Sequence, residues 1–282
     1  MPMPVPHPVT AAGKEGLAAL LAAPQRAVLA LDFDGTLAPI VADPAEARAH
    51  PEAVPALARL APRLCAVVVI TGRPAQDAVR YSGFTAVPEL EHVTVLGAYG
   101  AERWDGATGA VEVPPPPPGV DAVRTELPGV LDEAGAPPGT WTEDKGRALA
   151  VHTRRTADPD GALGRLRAPL TALAERHGLI VEPGRMVLEL RPPGADKGAA
   201  LRDFLTRTRA ETVLYAGDDL GDLAAFAAVE RMRAEDGLKG LLVCSDAAGT
   251  GEAVPELAAR ADLRVAGPEG LVALLDALEA AL

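Results

Sequence analysis

The stretch Ala27-Val28-Leu29-Ala30-Leu31-Asp32-Phe33-Asp34-Gly35-Thr36 decides the fold. Five apolar residues in a row, with no polar alternation, read as a strand buried on both faces. The run stops at two acidic residues two positions apart and a glycine, so the strand delivers carboxylates to its own carboxyl end. In an open parallel sheet that end opens on the ligand crevice. Gly35 permits a tight turn there.

The same grammar repeats outward from this point. A helix is expected over 52–62, a buried strand over Cys65–Ile70 closed by Thr71-Gly72-Arg73, a helix over 74–81 and a strand over 92–96. After Asp196 it resumes with a helix over 197–209, strand Glu211–Ala216, the stretch GDDLGD (217–222), a helix over 221–228, strand Leu241–Cys244 and a last helix over 268–281. Apolar strands alternating with helices imply an α/β, Rossmann-like, mostly parallel sheet covered on both sides.

Between the two halves the pattern changes. VEVPPPPPGV (111–120) cannot be a central strand, because proline donates nothing to a ladder. Helices near 119–133 and 159–177 then accompany Arg147–Arg155 and short strands near 179–182 and 185–191, in the manner of a sheet faced on one side. The expected organisation is a tail and helix over 1–24, a core over 25–103 and 194–282, and an inserted α+β cap domain over 104–193. Within the first segment, residues 1–10 are expected to be loose.

Composition sets limits. The chain of 282 residues can bury roughly 70–75% of its unfolded surface. Its 39 acidic against 27 basic residues give a net charge of −12, which argues against nonspecific affinity for nucleic acid or anionic membrane. An acidic protein that handles an anion needs a metal and specific lysines or arginines at its site. The two cysteines, Cys65 and Cys244, lie in apolar runs and read as buried thiols of a reducing compartment. Prolines near the start oppose a signal peptide, and no stretch reaches spanning length. The expectation is a soluble, cytoplasmic chain.

The chemistry concentrates in four places. Asp32 and Asp34, so close together, repel unless a cation or a proton intervenes, and Mg²⁺ suits such an all-oxygen set. GDDLGD adds Asp218, Asp219 and Asp222 after another buried strand. Thr71 and Gly72 offer a hydroxyl and backbone N–H groups before a helix, which serve a phosphoryl oxygen or equally a helix cap. Lys197 opens a helix, where the dipole prefers anions, so its placement is useful if it shares an anion with that helix end.

These pieces in this order resemble the haloacid dehalogenase-like phosphohydrolases. The resemblance implies Asp32 as nucleophile, Asp34 as general acid and base, and Mg²⁺ held by Asp32, the Asp34 backbone carbonyl and Asp218. It further implies that Thr71 and Lys197 bind the phosphoryl group, with Gly35, Gly72, Asp219 and Asp222 in support. EDKGRALAVHTR (143–154), VEPGRMVLELRPPGADKG (181–198), LGAYGAE (96–102) and RVAGPEGLVALLDAL (264–278) are similar to trehalose-6-phosphate phosphatases. That family implies release of phosphate from trehalose 6-phosphate and a functional link to the synthase that makes it. Glu143, Lys145 and Glu189 would contact the sugar, with His152 and Arg154 as weaker candidates. A solvated sheet face is the plainer reading of the same five residues. Three positions depart from the family pattern: Gly221 replaces a threonine, Leu223 a glutamate and Tyr99 a histidine. Sibling phosphatases acting on glucosyl-3-phosphoglycerate or sucrose 6-phosphate share the core motifs, whereas a noncatalytic sugar-phosphate sensor would be favoured by loss of Asp32, Asp34 or a metal ligand, all of which are present.

Overall fold

The computed structural model describes residues 5–41, 43–246 and 254–282. The chain forms two compact units, one from residues 1–113 and 196–282, the other from 114–195.

The first unit is built on eight strands: β1 (Ala27–Leu31), β2 (Ala66–Ile70), β3 (Val93–Gly97), β4 (Glu102–Asp105), β5 (Val111–Glu112) and, after the second unit, three more. Because β6 to β9 belong to the second unit, these last are β10 (Thr212–Gly217), β11 (Lys239–Ser245) and β12 (Leu263–Val265). The order is β12-β11-β10-β1-β2-β3-β4-β5, parallel from β12 to β3 and antiparallel at β4 and β5. Strand β1 sits between β2 and β10, pairing Leu31 with Ala216 on one side and Val69 on the other. The carboxyl ends of β1 and β10 therefore lie side by side, and the chain reverses strand order there, as a ligand crevice requires.

Both faces are covered, which is why the strands are apolar throughout. Alternate residues Leu29, Leu31, Val67, Val69 and Leu214 pack with α1 (Ala11–Ala22), α2 (Ala53–Leu60), α3 (Ala75–Ser82) and α9 (Gly267–Ala281). Their neighbours Val28, Ala30, Val68, Ile70 and Tyr215 pack with α6 (Lys197–Thr208), α7 (Asp222–Glu235) and α8 (Pro255–Arg260). Each fully buried leucine or valine contributes about 1.5–3 kcal/mol of transfer free energy.

The end of the expected loose tail is anchored. The Val9 N–H donates to the Asp262 carbonyl (2.8 Å), and Thr10 bonds the Asp262 carboxylate while accepting from the Gly13 N–H as the cap of α1. Residues 1–4 of that tail lie outside the described residues. Helix α7 also runs seven residues past the expected end, stopping at Glu235. Strands β4, β5 and β12 and helix α8 are additions to the sequence expectation.

The second unit holds β6 (Trp141–Asp144), β7 (Leu149–His152), β8 (Ile180–Gly184) and β9 (Val187–Arg191) in the order β6-β7-β9-β8, all antiparallel. Helices α4 (Pro118–Glu133) and α5 (Pro159–Arg176) cover one face, where Leu149, Val151, Leu188 and Leu190 meet Val123, Leu127, Leu166 and Leu170. Both cysteines are free thiols, Cys244 buried and Cys65 partly so. Burial is the main reason the Cys244 thiol is pushed up to about 11. No helix among the described residues is long and apolar enough to cross a membrane.

Candidate active site

Strand β1 ends at Leu31 and hands over to Asp32, which is buried. The Asp32 N–H donates to the Ala216 carbonyl (2.9 Å), so the ladder with β10 continues one residue beyond the strand and fixes the carboxylate's origin. Lys197, the first residue of α6, brings its ammonium 2.9 Å from Asp32, 2.8 Å from Asp222 and 3.6 Å from Asp219. Helix α6 begins there because Asp196 caps it, accepting from the Ala199 N–H at 2.7 Å.

Asp222 is fully buried, and all of its acceptor positions are filled. One oxygen takes the Lys197 ammonium and the Tyr215 hydroxyl (2.8 and 2.6 Å), and the other takes the N–H groups of Asp218 and Asp219 (2.9 and 3.0 Å). Asp32, Asp218 and Asp222 each bring a carboxylate oxygen within 4.8 Å of the others. Of the three, Asp222 is committed to positioning Lys197 and the 217–219 turn. Asp218 is not committed: its Oδ1 is buried with no hydrogen-bond partner.

The charges do not balance. Four carboxylates, Asp32, Asp218, Asp219 and Asp222, surround one lysine. Burial pushes Asp32 well above the usual carboxylate range, Lys197 opposes this, and Asp222, Asp219 and Asp34 add to the rise. Burial does the same to Asp218, reinforced by Asp219, Asp32 and Asp222. Burial would lower Lys197, but Asp219, Asp222 and Asp32 outweigh it and hold the ammonium well above its ordinary value. At Asp219 burial pulls upward, while Lys197 and the N–H groups of Gly221 and Asp222 hold it below the usual range. The Asp219 side chain is 49% accessible, so the burial contribution counts for little there.

An excess of buried negative charge around an orphaned carboxylate oxygen fits a hard divalent cation. The loop geometry agrees. Gly35 has φ +73°, and a Cβ on it would fall 2.0 Å from Asp218 Oδ2, so only glycine lets the β1 loop approach that carboxylate. Ser245, at the end of β11, donates to the Gly35 carbonyl (2.7 Å) and holds the loop down.

The two aspartates of the opening motif diverge. The Asp34 side chain is 41% accessible and is gripped by Arg73, whose Nε and Nη2 donate to its two oxygens at 2.6 and 2.7 Å. A third guanidinium nitrogen bonds the Pro44 carbonyl (2.8 Å), and the guanidinium stacks on Tyr81 and Phe33. Thr71 is buried, its hydroxyl accepting from the Arg73 N–H at 3.1 Å. Arg73, Tyr215 and Ser245 were not singled out as sequence candidates. Arg73 had a signal: an acidic chain with an anion site needs an arginine near it, and Arg73 ends the Thr71-Gly72-Arg73 motif.

In the second unit, the face of the sheet away from α4 and α5 carries one cross-strand row, Glu143, Ala150, Glu189 and Glu182. Lys145 bonds Glu189 at 2.5 Å, and His152 Nε2 lies 2.9 Å from Glu143. Trp141 stacks flat on His152 (3.9 Å between centroids) with the Arg155 guanidinium 5.2 Å from its ring. Arg154 follows β7 in the adjoining turn. Four of the five sequence candidates in this unit thus form two pairs, with the small Ala150 between their glutamates.

The sheet order gives the fold of the haloacid dehalogenase-like α/β proteins: a haloacid dehalogenase-like hydrolase of Bacteroides thetaiotaomicron superposes with a TM-score of 0.58 at 17% identity, over 88% of this chain and 97% of that one, a likeness of fold. Sequence comparison narrows this. Residues 30–252 match the model of the trehalose-phosphatase family, and the chain belongs to that family. It is 36% identical over 206 residues to a trehalose-phosphate phosphatase of Mycolicibacterium paratuberculosis, covering 70% of this chain and 50% of that protein. It is 34% identical over 226 residues to one of Mycobacterium tuberculosis, covering 75% and 53% respectively. The chain thus spans about half the length of the curated relatives it matches. The C-terminal domain of C. albicans trehalose-6-phosphate phosphatase superposes with a TM-score of 0.75 at 20% identity, over 98% of this chain and 99% of that one, and this likeness speaks for the fold.

Proposed function

We propose that this chain hydrolyses trehalose 6-phosphate to trehalose and inorganic phosphate through a phosphoaspartyl intermediate on Asp32. The observation that carries the reading is Asp32 at the carboxyl end of β1, 2.9 Å from Lys197 and beside the orphaned Asp218 carboxylate. Membership of the trehalose-phosphatase family supports the substrate.

Asp32, the Asp34 backbone carbonyl and Asp218 would hold Mg²⁺. When bound, the ion neutralises the phosphoryl charge that an anionic nucleophile must approach. The Lys197 ammonium contributes positive charge from the other side, fixed by Asp222. An Asp32 oxygen bonds to phosphorus as the bond from phosphorus to the sugar oxygen breaks, and Asp34 gives that oxygen its proton. Water then attacks the phosphorus of the acyl phosphate, Asp34 takes its proton, and phosphate leaves as Asp32 is regenerated. Both Asp34 oxygens are engaged by Arg73, so each transfer requires the carboxylate to turn from that fork. Thr71, at the end of β2, would bond the phosphoryl oxygens through its hydroxyl, with Gly72 allowing close approach.

For the sugar, Glu143, Lys145 and Glu189 would bond hydroxyls, with His152 and Arg154 beside them. The opposed charges at 2.5 Å suit hydroxyls, which donate to carboxylates and accept from ammonium. The second unit would then be the cap that selects substrate. A trehalose-6-phosphate synthase is the enzyme class that must supply this substrate.

Phosphate release with Mg²⁺ is the test, comparing trehalose 6-phosphate with glucose 6-phosphate, sucrose 6-phosphate and glucosyl-3-phosphoglycerate at equal concentration. The expected outcome is a much larger kcat/KM for trehalose 6-phosphate, abolished by EDTA. Preference for another ester refutes the substrate, and turnover of none refutes the enzyme.

A further inference from the structure

Strand β10 carries one aromatic residue with a polar end into the core. Tyr215 is fully buried, and its ladder neighbours are Ala30 of β1 and Leu242 of β11. Its ring meets Phe226 of α7 edge-on, with 6.1 Å between centroids and 89° between planes. A phenylalanine would pack the same way without taking a hydroxyl into the interior, where a polar group costs free energy unless it is hydrogen-bonded. The hydroxyl and its one partner therefore identify what the residue does beyond packing.

That partner is Asp222 Oδ1 at 2.6 Å, the same oxygen that Lys197 Nζ meets at 2.8 Å. Burial and then the Asp222 charge hold the phenol well above its ordinary value, against the pull of Lys197, so it keeps its proton at neutral pH and donates. The other Asp222 oxygen is fixed by the N–H groups of Asp218 and Asp219, so the carboxylate cannot turn away. Lys197 has three N–H bonds to place. One goes to Asp222 and one faces Asp32 at 2.9 Å, while Asp219 at 3.6 Å is too distant to bond the third. A phosphoryl oxygen on Asp32 would take that third N–H. How strongly Asp222 draws the ammonium decides how much of it is left for Asp32 and the phosphoryl group. A second donor on the same oxygen draws off part of its negative charge and limits that pull.

We infer that Tyr215 is a positioning residue for phosphoryl transfer, its hydroxyl sharing Asp222 Oδ1 with Lys197 and so holding the ammonium at nearly equal distance from Asp222 and Asp32. This rests on the phosphatase reading above and deepens it. Tyr215 meets neither substrate nor reacting atoms, and acts through Asp222 and Lys197. Without the hydroxyl, Asp222 binds the ammonium more tightly and Lys197 gives less to the phosphoryl group. The loss is on the phosphoryl side, so it is the same whatever alcohol leaves.

The experiment compares Tyr215→Phe and Phe226→Leu with the wild type on trehalose 6-phosphate and on p-nitrophenyl phosphate, well below the melting temperature of each. Phe226→Leu is the packing control, since it removes the ring that Tyr215 meets and leaves the hydroxyl in place. Tyr215→Phe is expected to lower kcat about tenfold on both esters, the effect of about one hydrogen bond to a charged group, with KM within about threefold. Inhibition by orthovanadate, which mimics the phosphoryl group in transfer, should weaken by about the same factor, and inhibition by inorganic phosphate by less than about threefold. Phe226→Leu should keep kcat within about twofold. Unchanged kcat or unchanged vanadate inhibition in Tyr215→Phe, an equal loss in Phe226→Leu, a loss confined to trehalose 6-phosphate, or a Tyr215→Phe chain that does not fold overturns the assignment and leaves Tyr215 a structural residue. A wild type that turns over neither ester overturns the enzyme reading instead, and the role of Tyr215 with it.

Discussion

Replacing Asp222 by asparagine tests the site's internal logic more sharply than replacing any residue that meets substrate. The carboxylate is fully buried and accepts four hydrogen bonds, two from the backbone N–H groups of Asp218 and Asp219 and two from Lys197 and Tyr215. Asparagine keeps the shape but offers one accepting oxygen. If that oxygen stays with the backbone, the amide nitrogen faces the Tyr215 hydroxyl, which can rotate to accept, and the Lys197 ammonium, which cannot. Lys197 then retains Asp32 and the more distant Asp219. Removing one partner of a buried ion pair costs about 3–5 kcal/mol. Relief of repulsion from Asp32, Asp218 and Asp219 offsets part of this, and we expect a net loss of about 3 kcal/mol. At about 2–4 °C per kcal/mol for a body of this size, the melting temperature should fall by about 6–12 °C. A displaced Lys197 should also cost about 100-fold in kcat, as small misplacements do. Thermal unfolding followed by near-ultraviolet circular dichroism, beside phosphate-release kinetics, reads both. A variant that melts within 2 °C of the wild type, or higher, would show that Asp222 is not the clamp described, because repulsion among the acids then exceeds the pair.

Four further outcomes follow from the same geometry. Asp32→Asn should abolish turnover with the fold intact by circular dichroism, and full activity would refute the covalent step. Gly35→Ala should destabilise by more than about 2 kcal/mol and lose activity, since its Cβ would overlap Asp218 in a left-handed backbone; an active, equally stable variant would refute that close approach. Asp32 and Asp218 titrate above their ordinary value of 3.8, so their contribution to stability is fully present below that value and is lost as pH rises through the folded-state values. In EDTA the melting temperature should therefore decline as pH rises above the ordinary value of 3.8, with Mg²⁺ removing much of the decline, and a metal-free protein that gains stability as pH rises from there would contradict the charge excess. If Lys145 meets the sugar as proposed, Lys145→Ala should raise KM for trehalose 6-phosphate at least tenfold, checked by initial rates, because it also strips the cation from Glu189.

Sequence patterning was most legible where burial is two-sided. The apolar runs of β1, β2, β10 and β11 could only be central strands, and their carboxyl ends carry Asp32, Thr71 and Asp218 as the alternation implies. It failed where a strand lacks an apolar signature. Strand β6, Trp-Thr-Glu-Asp, is polar on both faces, and β12 is three residues with an arginine in the middle. Strand β4 alternates buried Glu102 and Trp104 with half-buried neighbours, but it follows a glycine-bounded turn that reads as the end of a module. The site's partnerships were less legible than its members. Nothing in the spacing of Asp34 and Arg73, 39 residues apart, announces a bidentate pair, and the Asp32–Asp34 spacing does not reveal that Lys197 meets one carboxylate and Arg73 the other. The left-handed backbone at Ala98 and Tyr99 is invisible to any pattern of polarity, since the Arg73 and Thr71 carbonyls that accept their N–H groups belong to a separate loop.

The edge at β5 also bears on how the protein behaves in concentrated solution. A row of unpaired backbone groups at a sheet margin is a template on which a second chain can add a strand and start a fibril. Here the outermost strand is two residues long, and five consecutive prolines, Pro114 to Pro118, come one residue later. Proline has no N–H to offer, so an incoming strand finds two residues of template and then nothing to pair with. A chain whose interior is built from aliphatic strands is in this way kept from recruiting copies of itself along that margin, and swapping Pro114, Pro115 and Pro116 for valines should reveal it as faster thioflavin-positive aggregation.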